Sequence, residues 1–342
     1  MDQKIWVLLP AYKPEERLVA LVEALINKNL PVLVVDDGGG ETCRPLFDRV
    51  ERLGGIVVRH AVNLGKGRAL KTGINALLTR CGDDIEGIIT ADADGQHAVP
   101  DILRMRDALI GHPDVLTLGS RQFSGNVPFK SRAGNAITRV VYRYVSGIRC
   151  RDTQTGLRGI PARALPAMLR LSGERYEYEM NMLLQLRELS LPLREIPIET
   201  IYIDDNKGSH FRPFHDAARV YSVILRFALS SIVSFCVDYS AYLLLLRAGS
   251  VPPAFAYGIA RALSSLLNFT INREAVFGRR GGKWAVVRYY ALVIVQMLAG
   301  MGLVSFISRT LSLSPGWVKM PVDLLLFFIS YVVQREFVFK SK

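Results

Sequence analysis

The sequence predicts an α/β domain on a mainly parallel sheet, followed by an all-α domain of four transmembrane helices. Three observations predict it. Short β-rich runs alternate with segments of helical period through residues 4–120. From Ser222 onward, long apolar runs are broken only by short basic segments. Residues 211–342 carry 15 Lys+Arg against 5 Asp+Glu, while the residues before them are nearly balanced.

In chain order, strands are expected at Ile5–Leu9, Val32–Val35, Ile56–Val58, Gly87–Thr90 and Val115–Leu118. Helices are expected near 15–28, 44–53, 67–79 and 99–110. Continuously apolar strands joined by helical crossovers indicate a parallel sheet covered on both faces. Ligands of such sheets bind beyond the carboxyl ends of the strands. The unusual polar residues fall there: Pro10-Ala11-Tyr12 after the first strand, Asp36-Asp37-Gly38 after the second, Asp92-Ala93-Asp94 after the fourth. The first domain is read as 1–212.

Residues 213–225 form an amphipathic stretch suited to the headgroup layer. Four spans follow near 226–246, 254–272, 286–308 and 317–334, within a membrane domain of 226–342. This half is an internal duplication. NREAVF (272–277) and QREFVF (334–339) lie 62 residues apart, as do Arg226-Phe227 and Arg288-Tyr289. The two hairpins can pair within one chain or build a homo-oligomer. Basic residues cluster before the first span, between the second and third, and at the end, which places both termini and the first domain in the cytosol. Met1-Asp2-Gln3-Lys4 runs straight into a strand with no signal-peptide pattern, in keeping with that side.

The net charge of +12 and pI of about 9.7 trace to the membrane half, where anionic lipids are the partner. No nucleic-acid recognition module accompanies the basic residues, so nucleic acid is excluded as a partner. Cys43, Cys81, Cys150 and Cys236 are scattered, without disulfide or zinc spacing.

The strongest chemical signal is ITADADGQH (89–97). A buried strand delivers Asp92 and Asp94 onto a glycine turn, where both carboxylates can reach one hard cation and Gln96 adds a neutral oxygen. Mg²⁺ or Mn²⁺ held there would neutralise charge on a departing nucleoside diphosphate. The alternative is a polar loop capping the next helix. Asp36 and Asp37 suit a base edge or ribose, or else form an Asp-Gly turn. Tyr12 in PAYKPEERL can lie over a base, with Pro10 and Glu15 beside it. NLGKGRALKTG (63–73) brings Lys66 to a helix start, where phosphate is favoured. It is neither a Walker loop nor the Rossmann fingerprint.

Downstream lie Gly119-Ser120-Arg121, Arg132 with Asn135, DTQTGLRG (152–159) with Asp152 and Thr155, and Glu177 and Glu179 flanking Tyr178. Ser209 and Arg212 stand just before the membrane. The arginines are read either as headgroup contacts or as phosphate clamps.

These motifs together resemble the family-2 glycosyltransferases of the GT-A fold, specifically the dolichyl- and polyprenyl-phosphate sugar synthases. PAY, VVDDG, NLGKG, DADGQH, GSR, DTQTG and GSHFR carry the resemblance over 1–215, and residues 222–342 resemble the GtrA-like membrane domain through Asn268-Phe269, Asn272-Arg273 and Val276-Phe277. The resemblance implies a metal on Asp94 and Gln96, with Asp92 and Ala93 near the donor phosphates. It implies a nucleoside held by Asp37 and Tyr12. Arg121, Arg132 and Arg212 would handle the donor diphosphate and acceptor phosphate, with Asn135 and Ser209 on the acceptor side. Lys13-Pro14, Gly39-Gly40 and Gly95 depart from the common pattern. The implied reaction is inverting transfer of a hexose from a UDP- or GDP-sugar to polyprenyl phosphate, such as undecaprenyl phosphate, at the cytosolic face of a bacterial inner membrane. Two competitors remain. One is a flippase for lipid-linked sugar using Asp238, Arg261 and Asp323. The other is a processive polysaccharide synthase, disfavoured because QxxRW is absent.

Overall fold

The structure is a computed structural model that describes residues 4–121, 139–199, 213–247, 253–277, 284–313 and 315–339. It divides into two compact units, Met1–Val220 and Tyr221–Lys342.

The first unit is a seven-stranded α/β sheet in the order β3-β2-β1-β4-β6-β5-β7. The strands are β1 (Ile5–Ala11), β2 (Val32–Asp36), β3 (Ile56–Arg59), β4 (Gly87–Thr90), β5 (Leu116–Arg121), β6 (Arg158–Pro161) and β7 (Leu193–Ile198). β6 runs antiparallel to β4 and β5, and the remaining pairings are parallel. The five expected strands are present. β6 and β7 were not foreseen, because Arg158, Pro161, Arg194, Glu195 and Pro197 break up their apolar pattern.

Alternation along β1 decides which helix covers which face. Val7, Leu9 and Ala11 join Val34 in one core with α1 (Glu16–Ile26), α2 (Arg44–Arg52) and α4 (Val99–Gly111). Leu18, Leu25, Phe47 and Met105 are the helices' contributions. Each such side chain contributes about 1.5–3 kcal/mol on burial. Leu8 points the other way, onto α3 (Lys66–Cys81). Only glycine fits at position 73, since a Cβ there would lie 2.2 Å from Leu8 Cδ1. That close approach fixes the start of α3 relative to the strand ends. After β5 come α5 (139–146 among the described residues), α6 (Leu165–Arg170) and α7 (Glu177–Leu184).

The second unit has four helices among its described residues: α8 (Pro213–Arg247, starting before the unit boundary), α9 (Pro253–Ile271), α10 (Ala285–Leu311) and α11 (Pro315–Val333). At 35 residues, α8 is about 52 Å long. The Ile224–Ala241 stretch of α8 is long and apolar enough to cross a bilayer, with mean hydropathy 1.3. The sequence duplication is visible in three dimensions. α9 and α11 each close in a π-helical turn, Asn272–Val276 and Gln334–Val338. Phe277 and Phe339, equivalent positions of the repeat, stack with centroids 4.9 Å apart. Phe227–Tyr331 (5.2 Å) and Tyr289–Phe269 (5.3 Å) are equivalent pairs. The hairpins therefore pair within one chain.

Candidate active site

β1, β2 and β4 are parallel neighbours, so their carboxyl ends share one edge of the sheet. Ala11 pairs with Asp36, and Asp37 N donates to Ala11 O (2.8 Å). The chain leaves β4 through Ala91 and turns at Gly95, whose φ of +78° is a left-handed conformation. That turn explains the glycine between Asp94 and Gln96. The Gln96 amide donates to Asp94 Oδ1 (3.0 Å).

Lys66, the first residue of α3, organises the centre. Its ammonium lies 2.6 Å from Asp92 Oδ1 and 3.0 Å from Glu179 Oε2. It also lies 5.9 Å from the Tyr176 ring centroid. His97 Nε2 is 3.3 Å from Asp92 Oδ2. Gly156 packs on the Asp92 carboxylate, where a Cβ would come within 2.5 Å of Oδ2. Burial disfavours both charges, yet the two carboxylates raise the Lys66 pKa above the ordinary lysine value. Burial works against the Asp92 carboxylate too, but Lys66 and His97 outweigh it and hold its pKa below the usual range. Asp94 differs: burial and the neighbouring Asp92 charge push its carboxyl up. Asp92 and Glu179 share one ammonium, with the Asp94 carboxylate beside Asp92, so carboxylates outnumber the ammonium in the cluster.

That imbalance, with two carboxylates and an amide at one turn, fits a hard divalent cation on Asp92, Asp94 and Gln96. Among the described residues no group of three or more His, Cys, Asp or Glu is arranged for a metal. The remaining ligands would come from substrate phosphates, as is usual for Mg²⁺.

Two of the expected contact residues have partners within the protein. The Asp37 carboxylate is buried and receives Leu64 N (2.9 Å), Gly65 N (2.9 Å) and Asn63 Nδ2 (3.1 Å), with His60 Nδ1 at 2.8 Å. It braces the 63–65 loop that carries Lys66. Arg121 is held by a carboxylate on one edge of its guanidinium. Its Nε and Nη2 donate to the fully buried Asp152 at 2.6 and 3.1 Å. Asp152 is correspondingly closed to substrate. Thr155 is buried, its hydroxyl accepting Leu157 N (3.2 Å), and Glu177 Oε1 accepts Glu174 N (3.0 Å) as a turn brace. Asp36 Oδ1 accepts Gly39 N (2.7 Å), fixing the turn after β2. Tyr12 is 45% exposed beyond the end of β1, open to stack on a planar ligand. Pro10 lies within β1, Glu15 is exposed before α1, and Ala93 sits between the two aspartates. Arg132, Asn135, Ser209 and Arg212 lie outside the described residues.

Comparison with known proteins agrees with this geometry. Residues 6–165 match the model of glycosyl transferase family 2, and residues 226–339 match that of the GtrA/DPMS transmembrane domain. An uncharacterised protein of Methanocaldococcus jannaschii is 31% identical, covering 59% of this chain and 83% of that one. The chain belongs to glycosyltransferase family 2. A UDP-N-acetylglucosamine–dolichyl-phosphate N-acetylglucosaminyltransferase of Methanococcus voltae is 29% identical, over 59% of this chain and 88% of that protein. A polyprenol monophosphomannose synthase of Mycolicibacterium smegmatis is 28% identical, over 46% and 61%. The first unit of this family-2 glycosyltransferase is GT-A-like, and its GtrA/DPMS domain makes it a membrane protein.

Sequence reading missed Arg158. It is 1% exposed, and its Nη1 donates to Glu179 O (2.6 Å) while Nε donates to Thr155 O (3.1 Å). It ties DTQTGLRG to α7 and so aims Glu179 at Lys66. The available signal was an arginine in an otherwise apolar strand. Glu174 was missed as well: it pairs with Arg68 (2.6 Å) and Lys71 (3.1 Å) and docks α3.

Proposed function

We propose that this enzyme transfers a hexose, with inversion, from a UDP- or GDP-sugar to a polyprenyl phosphate at the cytosolic face of a bacterial inner membrane. The observation that carries the reading is the Asp92–Lys66–Glu179 cluster beside Asp94, at the carboxyl-end edge of the strands where such sheets bind their ligands. Tyr12 stacks on the base, and the turn fixed by Asp36 borders it. Lys66, at the N-terminus of α3, takes a phosphate oxygen with help from the helix dipole. Mg²⁺ or Mn²⁺ on Asp92, Asp94 and Gln96 would supply Lewis-acid stabilisation of the leaving diphosphate. The acceptor phosphate is an anion at neutral pH and needs no strong base. In-line positioning and charge neutralisation carry the rate, with Arg132 and Arg212 assigned to the acceptor phosphate together with Asn135 and Ser209. The unit with α8–α11 crosses the membrane four times and leaves both termini cytosolic.

The test is sugar transfer by the purified full chain in detergent, with undecaprenyl phosphate, Mn²⁺ or Mg²⁺, and labelled UDP-glucose, UDP-GlcNAc and GDP-mannose offered separately. Lipid-linked product from one donor, abolished by EDTA and by Asp94→Ala, is expected. Product that persists in both controls overturns the metal assignment. Absence of nucleotide binding in folded protein overturns the enzyme reading.

One observation favours a second role for the membrane unit. An open pocket of about 390 Å³ is lined by Asn268, Gln296, Ser330 and Gln334 among aromatic and aliphatic side chains, and these polar groups could meet a sugar headgroup. Transbilayer movement of lipid-linked product in vesicles, lost in Gln334→Leu, tests that role.

A further inference from the structure

The Lys66 ammonium occupies the Asp92 oxygen that a cation at the aspartate turn would use. Asp92 Oδ1 faces Lys66 at 2.6 Å and Oδ2 faces His97 at 3.3 Å, so both oxygens already have partners. Glu179 is the opposite case. Only 8% exposed, it gives Oε2 to Lys66, while its buried Oε1 has no hydrogen-bond partner among the described residues. An unmatched buried carboxylate oxygen is costly unless a charge arrives to use it. The lysine is thus shared between two carboxylates, one of which has spare capacity to accept it.

We propose that Lys66 is a resident counter-ion of Asp92 that a divalent cation must displace, with Glu179 as the positioning residue that retains the displaced ammonium. A cation and an ammonium cannot share Asp92 without mutual repulsion, so cation binding to the nucleotide-free enzyme is weak. A nucleoside diphosphate changes this, because its oxygens take the Lys66 ammonium and free Asp92. Cation and diphosphate therefore bind cooperatively, and linkage makes the effect reciprocal. The inference rests on the metal reading above and extends it to the order of loading and to two residues outside the aspartate turn.

The test is Mn²⁺ binding to the full chain in detergent, followed by electron paramagnetic resonance, alone and with saturating UDP or GDP. Wild type is expected to bind Mn²⁺ weakly alone and about tenfold or more tightly with one nucleotide. Lys66→Met is expected to bind Mn²⁺ about tenfold more tightly without nucleotide, and the nucleotide effect should collapse. Lys66→Arg keeps the charge and should stay within a few-fold of wild type. Glu179→Gln leaves the ammonium wholly on Asp92 and should weaken Mn²⁺ binding. These opposite signs separate a counter-ion from structural damage, which would weaken every variant. Unchanged or weaker binding in a folded Lys66→Met protein overturns the counter-ion role while leaving the metal site standing. Should Lys66→Met fail to fold, unchanged or tighter Mn²⁺ binding by Glu179→Gln overturns the proposal instead. Absence of Mn²⁺ binding by wild type with either nucleotide overturns the metal reading and this proposal together.

Discussion

The two units of this chain bury opposite kinds of side chain. The first buries Leu, Val and Ile, and its buried charges, Asp36, Asp37, Lys71, Asp101, Asp152, Arg158 and Glu179, are few among them. The second exposes Leu229, Ile232, Phe235, Ile294 and Phe306, and it buries Ser230, Asn272, Ser330 and Gln334. Its interior is joined by neutral hydrogen bonds, including Ser230 Oγ to Asn272 Oδ1 (2.5 Å) and Gln334 Nε2 to Ser330 Oγ (3.0 Å). The difference teaches that exposure has no fixed meaning along this chain, because water surrounds one unit and hydrocarbon the other.

Cysteine labelling sharpens the contrast with the largest expected effect. Cys150 is buried in the first unit, and burial, with Glu195 and Asp152 nearby, pushes its thiol up to about 12. Against an ordinary thiol this lowers the thiolate population on the order of a thousandfold at neutral pH. Its reactivity rises only as the pH approaches that value. Cys236 is exposed on α8, within the Ile224–Ala241 stretch that is apolar enough to cross a bilayer. In membrane vesicles opened to reagent on both sides, a water-soluble maleimide at pH 7.5 is expected to modify Cys43 and Cys81 and spare both Cys150 and Cys236. Rapid modification of Cys236 would mean that α8 lies in water.

Asp37→Ala should break the first unit. Four donors around the carboxylate lose their acceptor, two of them backbone amides of the loop before Lys66. Stranding buried partners of this kind costs about 3–5 kcal/mol. The measurement is amide exchange at residues 63–65 and the thermal midpoint of the full chain; wild-type protection in the variant would return Asp37 to the role of ligand contact.

What the sequence made legible follows from the same physics. β1, β2, β4 and their crossover helices were readable because buried parallel strands are uniformly apolar, as in Val32–Val35. The antiparallel β6 was not, because its register depends on Arg158 finding acceptors on α7, a partner 21 residues away that no local pattern encodes. The DADGQH turn and Lys66 were visible as chemistry. That Lys66 bridges Asp92 and Glu179, and that Asp37 and Asp152 serve the scaffold, depends on distances between segments remote in sequence. The repeated NREAVF and QREFVF segments were legible as a duplication, but not as π-helical turns that bring Asn272 and Gln334 together.

A matched pair of substitutions tests the contrast at intermediate size. Ile110 on α4 and Ile232 on α8 are 58% and 57% exposed. Ile110→Arg, in water, should change stability by less than about 0.5 kcal/mol. Ile232→Arg, near the middle of the apolar stretch, should cost about 2.5–3.5 kcal/mol of membrane insertion. The readouts are the thermal midpoint for Ile110→Arg and the membrane-inserted yield of full-length protein for Ile232→Arg. Equal, small effects would show that the outer face of α8 is covered by something other than lipid.

The smallest effect tests the polar interior of the membrane unit. Asn272 Nδ2 donates to Gln334 Oε1 (3.1 Å) and Asn268 Oδ1 (2.9 Å), joining the two repeats at equivalent positions. An intuition trained on the first unit expects a large penalty for losing this link. The bilayer argues otherwise, since helices separated within a membrane also satisfy their polar side chains, and such bonds average about 0.6 kcal/mol. A double-mutant cycle of Asn272→Ala and Gln334→Ala, followed by unfolding in mixed micelles, should therefore give a coupling of about 0.6 kcal/mol and not above about 1.7 kcal/mol. A coupling of several kcal/mol would mean that the seam is closed to alternative partners even when the helices part. The pairing of the two hairpins would then be set by hydrogen bonding and not by the aromatic stacking of Phe277 on Phe339.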